Sequence, residues 1–280
     1  MSEVLSPDKT LDATSTIGVN KARGSFKKLF ILAMLAGAFI AFAAQGSTLA
    51  AVNLMEDPNT FGLGKVITGL IFTPGIVFVI IAGAELFTGN SLMLVALFDK
   101  KITFKELIRA WIIVYLGNLV GSIFVALLVF KSGQLAGDGA LIAQRTILTA
   151  NSKVNLSFSK AVILGILCNW LVCVGIWMSF ASTSHVGKIL SVALPIMLFV
   201  ISGFEHSVAN MYYIPAGILA KSNPDFVNAL IAGHPQMNID LTNLTWAGFF
   251  AKNLLPVTIG NIIGGGFCVA GAYWLSYRGK

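Results

Sequence analysis

The chain of 280 residues is 56% hydrophobic and only 11% charged, and its mean hydropathy is +0.82. Soluble domains carry about 25% charged residues, so this composition excludes an ordinary soluble domain and is typical of a protein embedded in lipid. The formal net charge of +7 could indicate nucleic-acid binding, but the lysines and arginines cluster at the ends of apolar segments, so we expect no nucleic-acid partner.

The first 25 residues form a polar tail, and apolar segments dominate the rest of the chain. The tail lacks a continuous apolar core, which excludes a cleaved signal peptide, and a short helix in it would lie at the membrane surface. Six later segments are long enough, at about 20 residues, to cross a hydrocarbon core about 30 Å thick. These predicted spans are Phe26–Val52, Val66–Phe98, Leu107–Phe130, Phe158–Phe180, Ile189–Leu219 and Trp246–Tyr277. The predicted organisation is a tail, 1–25, and a six-helix transmembrane domain, 26–280.

The second and fifth segments are too long for one straight crossing. Both contain proline: Pro74 in the second, and Pro195 and Pro215 in the fifth. Broken helices are tolerated at membrane depth only where the freed backbone is buried in protein or lines a cavity. We therefore predict that each of these segments forms two half-helices that meet near the membrane midplane.

A duplicated motif lies in the same two segments. Gly-Ala-Glu-Leu-Phe-Thr-Gly-Asn at 83–90 and Gly-Phe-Glu-His-Ser-Val-Ala-Asn at 203–210 share Gly, Glu and Asn at an offset of 120 residues. Gly-Asn-Leu-Val-Gly at 117–121 likewise matches Gly-Asn-Ile-Ile-Gly at 260–264. Because three crossings reverse the chain, the two halves must have opposite orientations, as in inverted-repeat channels and transporters. The predicted fold is an all-α integral membrane protein with two inverted three-helix repeats and broken second and fifth helices.

The distribution of positive charge predicts the orientation. Lysine and arginine are frequent in the tail, in the 99–106 loop and at the C-terminal end, but nearly absent from the membrane ends of the 53–65 and 220–245 loops. Three basic residues in the 131–157 loop weaken this pattern without reversing it. Both termini are therefore predicted to lie in the cytoplasm.

His206 is set inside an apolar segment, unlike the other two histidines. An ionisable group at membrane depth costs about 2.5–3.5 kcal/mol on insertion scales and usually marks a pathway for ions or protons. The alternative is a histidine that only packs in the protein core. We predict that His206 faces a lumen.

Glu85 and Glu205 are the matched acids of the two motifs. Successive helical residues point about 100° apart, so Glu205 projects away from the direction that His206 faces. We expect both carboxylates to accept hydrogen bonds from backbone N–H groups freed at the helix breaks. A proton relay is the alternative.

Amides and bulky apolar side chains complete the set of candidates. Buried amides need hydrogen-bond partners, and they either join helices or form a polar core around the lumen. Asn210, one helical turn beyond His206, would share its face. The amides are Asn118, Asn169, Asn210 and Asn261. Near the breaks, apolar side chains either pack ordinarily or form constrictions that exclude hydrated ions. These side chains are Leu86, Phe87, Ile76, Val172 and Phe199.

Several of these stretches together resemble the formate/nitrite transporter family, in particular its formate channels. The resemblance lies in the motifs at 83–88 and 203–210, in Gly-Ile-Leu-Cys-Asn at 165–169, and in Leu-Pro-Val-Thr-Ile-Gly-Asn-Ile-Ile-Gly-Gly-Gly at 255–266. It extends over about residues 17–277. The resemblance implies an aquaporin-like protomer, with its own pore, assembled as a homopentamer.

The resemblance also implies roles for single residues. Lys21 and Lys153 would lie in the two vestibules and attract anions. Thr88 and Asn261 would form hydrogen bonds with His206. The cytoplasmic slit would consist of Leu86 and Phe87, and Val172 and Phe199 would narrow the periplasmic side.

The resulting prediction is a channel domain for formate and similar small monovalent anions, or their neutral acids, moved with or without protons through a bacterial cytoplasmic membrane. A channel for nitrite or hydrosulfide and a neutral-solute pore are the alternatives of the same class. An intramembrane hydrolase is an alternative of another class, but the chain has no Gly-x-Ser-x-Gly elbow. No cysteine has metal-ligand spacing, and we expect no metal or cofactor.

Overall fold

Helices make up all the regular structure of the computed structural model, which describes residues 4–278. In chain order they are α1 (Pro7–Ala22), α2 (Phe26–Ala51), α3 (Phe61–Ala82), α4 (Leu94–Phe98), α5 (Phe104–Lys131), α6 (Leu141–Val154), α7 (Phe158–Ala181), α8 (His185–Ser202), α9 (Ser207–Lys221), α10 (Pro224–Gly233) and α11 (Trp246–Arg278). Six of them, α2, α3, α5, α7, α8 and α11, are long and apolar enough to cross a membrane. The predicted all-α membrane fold is confirmed.

Three spans begin at the predicted residue and three, α3, α5 and α8, begin earlier; polar side chains cap two of these, α5 and α8. Thr103 accepts a hydrogen bond from the backbone N–H of Glu106, whose carboxylate accepts one from the N–H of Thr103, so α5 begins at Phe104. The hydroxyl of Ser184 accepts a hydrogen bond from the N–H of Gly187 and starts α8. Side-chain oxygens at a helix start satisfy N–H groups that have no partner within the helix.

The two long segments are broken at equivalent glycines. α3 ends at Gly83, with φ 80°, and α8 ends at Gly203, with φ 72°. Glycine adopts this left-handed conformation without the steric cost that a Cβ would impose. The chain becomes helical again at Gly89 in the first half and at Ser207 in the second.

The prolines do not cause these breaks, although both long segments contain them. Pro74, Pro195 and Pro215 all lie inside continuous helices. Pro74 precedes the break at Gly83 by nine residues. Glycine in the left-handed conformation, rather than loss of a hydrogen bond at proline, therefore ends α3 and α8.

The inverted repeat appears as two equivalent close helix pairs. α2 packs against α5 in the first half, and α7 packs against α11 in the second. A Cβ added at Gly121 would overlap the carbonyl oxygen of Met34, and one added at Gly264 would overlap that of Ile166. Lipid provides no hydrophobic drive for helix association, so small residues that let two backbones approach closely contribute much of the packing.

Regions expected to be a tail and loops contain further helices. α1, within the tail, buries Leu11 and Gly18 and packs against α4 and the turn before it. α6, within the 131–157 region, packs against α9, and α10 lies within 220–245. α1 and α6 precede α2 and α7 respectively, so they occupy matching places in the two repeats. We call the two ends of the helix bundle the α1 end and the α6 end.

Asp99, which follows α4, holds α1 and the C-terminal part of α11 together. Its carboxylate accepts hydrogen bonds from the hydroxyl of Ser15 (2.6 Å) and the indole of Trp274 (2.9 Å), and its oxygens lie 2.8 Å from Arg278 and 3.4 Å from Lys101. Burial raises the pKa of this carboxyl, but the two hydrogen bonds and the two positive charges outweigh burial, so its pKa lies below the usual value. The N-terminal helix is thus docked through charge-assisted hydrogen bonds and not only through apolar contact.

Candidate functional site

His206 joins the two halves of the molecule where the fifth segment breaks. Its Nδ1 accepts a hydrogen bond from the N–H of Ala209 (3.0 Å), which caps the start of α9. A nitrogen that accepts carries no proton, so the ring proton is on Nε2. Nε2 therefore donates to the hydroxyl of Thr88, 3.0 Å away, in the break of the first half. The predicted contact between His206 and Thr88 is present.

Asn261 does not bond to His206, contrary to the prediction. Its amide nitrogen donates to the carbonyl oxygens of Glu205 and Gly165, both at 2.9 Å. Its amide oxygen accepts from the N–H of Ser207, also at 2.9 Å. Asn261 thus holds the backbone immediately before and after His206, and its effect on the imidazole is one of position.

Asn118 holds the backbone at the break of the first half in the same way. Its amide nitrogen donates to the carbonyl oxygens of Ala33 (2.8 Å) and Glu85 (2.9 Å), and its oxygen accepts from the N–H of Phe87 (2.9 Å). These three bonds repeat those of Asn261 one for one. Backbone groups freed by a helix break at membrane depth must be satisfied inside the protein, and these two amides satisfy them.

Glu205 does not accept bonds from freed backbone N–H groups, which corrects the expectation for both glutamates. Its carboxylate lies 2.6 Å from the ammonium of Lys153 and also accepts from the amide of Asn210 (2.7 Å). Asn253 donates to the same carboxylate (3.2 Å) and to the carbonyl oxygen of Lys153 (2.9 Å). A buried carboxylate requires such a partner, because an unpaired charge at this depth is costly.

Glu85 is paired in the equivalent way at the α1 end. The ammonium of Lys21 lies 2.9 Å from its carboxylate and donates to the amide oxygen of Asn90 at 2.7 Å. Both lysines that the family resemblance places in the vestibules are therefore neutralised by a glutamate of the duplicated motif. Each pair also joins a short helix, α1 or α6, to a helix break.

Asn169 has no counterpart in the first half, where Gly37 takes the equivalent place. Its amide nitrogen lies 2.6 Å from the carbonyl oxygen of Asn261 and 3.1 Å from that of Thr88. It thus positions the residue that bonds to His206 rather than facing an open space. Three of the four amides, Asn118, Asn169 and Asn261, hold backbone, and a polar core around the lumen stays a prediction.

A cavity of about 160 Å³ reaches His206 from the α6 end. Two aromatic rings lie beside the imidazole: Phe199 stacks on His206 with centroids 5.7 Å apart, and Phe72 meets Phe199 edge to face at 5.9 Å. Lys153 and Asn210 also line this cavity. Phe72 was missed from the sequence, although it lies one helical turn before the candidate Ile76.

The cavity has further lining residues that the sequence reasoning did not select. They include the cations Lys65 and Arg145 and the ring of Tyr213, over which the ammonium of Lys153 lies at 5.4 Å. No motif marks Lys65 and Arg145, because each lies in an ordinary polar stretch of the sequence. Their convergence depends on the packing of α3 against α8 and of α6 against α9.

The remaining apolar candidates are buried and do not line this cavity. Phe87 packs edge to face against Trp111 (5.9 Å) and Tyr115 (4.8 Å) of α5. Leu86, Ile76 and Val172 are at most 2% exposed. A slit formed by Leu86 and Phe87 stays a prediction, and the geometry of Phe87 shows a side chain held against α5.

Comparison with known proteins gives matches over nearly the whole chain. The family model described as Formate/nitrite transporter matches residues 8–275. The formate channel FocA of Escherichia coli strain K12 is 38% identical over 277 residues, which cover 98% of this chain and 95% of that protein. The formate channel BtFdhC of Bacillus thuringiensis is 36% identical, with 97% and 95% covered. A solved structure described as a pentameric formate channel with formate bound superposes with a TM-score of 0.80 at 37% identity, covering 90% of this chain and 97% of that one.

Proposed function

The chain belongs to the formate/nitrite transporter family, and we propose that it is a channel for formate and related small monovalent anions in a bacterial cytoplasmic membrane, with both termini in the cytoplasm. Its relatives are channels and transporters, so it is a transport protein and not an enzyme. One observation carries the proposal: the hydrogen bond between His206 and Thr88 lies at the inner end of a cavity lined by three cations.

The cavity suits an anion better than a cation or a neutral solute. Among the described residues, its lining contains Lys65, Arg145 and Lys153 but no carboxylate side chain. Beyond these cations, the rings of Phe72 and Phe199 leave little room for a hydrated ion. A carboxylate that lost its water there unaided would meet a Born cost on the order of 20 kcal/mol before relaxation. The hydroxyl of Thr88, which accepts a hydrogen bond from Nε2 of His206, keeps its own proton to donate at that point.

The geometry of His206 favours proton movement with formate over a fixed positive charge. A doubly protonated ring would direct an N–H at the N–H of Ala209, 3.0 Å away, and the cap of α9 would be lost. The imidazole is therefore a neutral donor at rest. The proton comes from the water of the cavity: His206 takes it up transiently, gives a proton to formate and is neutral again afterwards, so that formate crosses the apolar section as the neutral acid.

The paired lysines have a structural role in this proposal. Lys153 with Glu205, and Lys21 with Glu85, hold the two breaks so that Thr88 and His206 meet. At the α1 end, Leu86 corresponds to His206 at the motif offset and forms a narrow apolar section with Ile76. Phe87, which packs against α5, supports this section. Val172 narrows the path on the α6 side. Residues 26–280 form the channel, and α1 is docked on it.

Transport by purified protein tests this function. In liposomes, labelled formate is expected to equilibrate at least about tenfold faster than acetate, because a site fitted to one carbon rejects a larger carboxylate. Nitrite, hydrosulfide, chloride and glycerol are measured on the same vesicles, with empty liposomes as the control. Faster flux of nitrite or hydrosulfide would assign the chain to a sibling specificity. Selective glycerol flux would contradict an anion channel.

The proposed assembly is a homopentamer, like the solved formate channel that the fold matches. The surface agrees with tight lateral contacts as well as lipid contacts, since large apolar side chains such as Phe124, Leu194 and Phe267 are exposed on the single chain. We expect protein in mild detergent to have the mass of five chains of 29.8 kDa each. Light scattering that accounts for bound detergent measures this mass, and a stable monomer or dimer would contradict the assembly.

A further inference from the structure

Lys65 is a cation that lines the cavity. Its ammonium lies 3.4 Å from the position that a Cβ on Gly203 would occupy, so it is at the end of α8 and close to the break that contains His206. Among residues 4–278, no carboxylate lies within ion-pair distance of it, and its side chain makes no hydrogen bond. Lys153, in the same cavity, has its charge matched by Glu205 at 2.6 Å. The charge available to a mobile anion is therefore that of Lys65.

Arg145 adds a second incompletely matched charge across the cavity. Its nearest carboxylate oxygen, on Glu56, is 3.9 Å away, which is beyond hydrogen-bond distance. The guanidinium makes no hydrogen bond with the part of the chain that the structure describes. Planar guanidinium groups bind carboxylates and other oxyanions through two N–H groups at once. Arg145 lines the cavity, whereas Glu56 does not.

The spacing on α6 directs several groups to the same place. Arg145, Thr149 and Lys153 follow one another at intervals of four residues, which places them on one face of the helix, and all three line the cavity. The hydroxyls of Thr48 and Thr68, opposite, donate to carbonyl oxygens of their own helices and are not free as donors. No hydrogen bond occupies the hydroxyl of Thr149 among the described residues. Thr149 is therefore the donor that can accompany the two cations.

Attraction to the C-terminal end of α8 accounts in part for the position of Lys65, because cations are favoured near helix C-termini. It does not account for Arg145, which lies on α6 and away from that end. Two cations from different helices converge on one water-accessible space without a carboxylate between them. Repulsion between like charges would disfavour this arrangement unless an anion occupied the space for part of the time.

We propose that Lys65, Arg145 and Thr149 form a capture site for a small carboxylate or similar monovalent oxyanion, and that the neutralised Lys153 does not provide this attraction. The inference rests on the proposed function and adds to it a site at the α6 end that precedes His206. An anion held there loses part of its hydration before it meets Phe72 and Phe199. Because binding of an anion at this site does not require its passage through the channel, binding can be measured separately from transport.

Binding of formate to protein in detergent is the first test. Broadening of the ¹³C-formate resonance is titrated for the wild type, Lys65→Met, Arg145→Gln and the matched control Lys131→Met. Lys131 is an exposed lysine at the end of α5, near Gln134, which bonds to Gln45 of α2; it does not line the cavity. We expect the apparent affinity to fall about tenfold in each cavity variant and to stay unchanged in the control. Lys65→Arg, which keeps the charge, is expected to bind as the wild type does.

Equal binding by the wild type and both cavity variants would overturn the capture site, and so would an equal loss in Lys131→Met, which would indicate only general surface charge. Elution at the volume of the wild-type oligomer confirms the fold of each variant, and Lys65→Gln replaces Lys65→Met should the latter not fold.

Transport measured on the same proteins separates the capture site from the proposed channel function. The half-saturating formate concentration is expected to rise about tenfold with the maximal flux retained. Binding without transport in the wild type would refute the channel function and leave the site standing.

Discussion

Replacing His206 with asparagine is expected to separate formate flux from proton movement. In the wild type, the hydroxyl of Thr88 lies 3.0 Å from Nε2 of His206. Asparagine keeps an N–H donor for this hydroxyl, but its side chain cannot titrate. Proton movement with formate should fall at least about tenfold, in line with the smaller contributions of positioned acid–base groups, while anion flux without protons persists or rises. Formate flux is measured in liposomes together with internal pH and membrane current.

His206→Lys distinguishes proton transfer from a fixed charge. If a permanent positive charge were the requirement, the lysine variant would keep formate current, and the wild-type current would grow as the pH falls. We expect instead that His206→Lys carries little formate, because the ammonium cannot accept the hydrogen bond from Ala209 that starts α9. Wild-type flux and proton coupling in both variants would show that His206 is a packing residue, and the proposed mechanism would be wrong.

Asn261→Leu is expected to cause the largest loss of stability. Leucine has a similar volume but leaves the N–H of Ser207 and the carbonyl oxygens of Glu205 and Gly165 without partners. Hydrogen bonds between intact membrane helices average only about 0.6 kcal/mol, because the helices satisfy themselves. At a break the backbone groups have no partner within a helix. We therefore expect the free energy of unfolding to fall by about 1–3 kcal/mol for each of the three groups left without a partner. Thermal unfolding in detergent, followed by loss of the native oligomer, measures the effect.

Two further variants show whether the expected loss of stability comes from the unsatisfied backbone groups at the helix break. Asn118→Leu removes the equivalent bonds in the first half and should destabilise the protein to a similar extent. Ser122→Ala removes a single bond, at 3.1 Å, to the carbonyl of Gly37 inside intact α2, and should cost less than about 1 kcal/mol. If Asn261→Leu unfolded no more readily than Ser122→Ala, the proposed support of the break by Asn261 would be incorrect.

Much of the architecture follows from short-range properties of the chain. The six spans are apparent from hydropathy and length because lipid forces every backbone group to be satisfied within a helix. The duplicated Gly-x-Glu motif located the two breaks, whereas the prolines of the same segments lie inside continuous helices. The conformation at Gly83 and Gly203 is set by backbone geometry, and only the structure shows that φ is positive there. α5 and α8 begin about one turn earlier in the chain than predicted, because their capping side chains stabilise an additional first turn.

The sequence by itself determined the membrane fold and the inverted repeat, because hydropathy and duplicated motifs are properties of neighbouring residues. The family resemblance implied the contact between Thr88 and His206, which the structure contains. The tertiary structure alone decided which partners the buried groups have. Glu205 meets Lys153, 52 residues away along the chain, and Asn261 meets the backbone beside His206 rather than its ring. The same holds for the approach of Phe72 to Phe199 and of Lys65 to Gly203. Such contacts depend on how separate helices pack, and a charge or amide takes whichever partner that packing brings within about 3 Å.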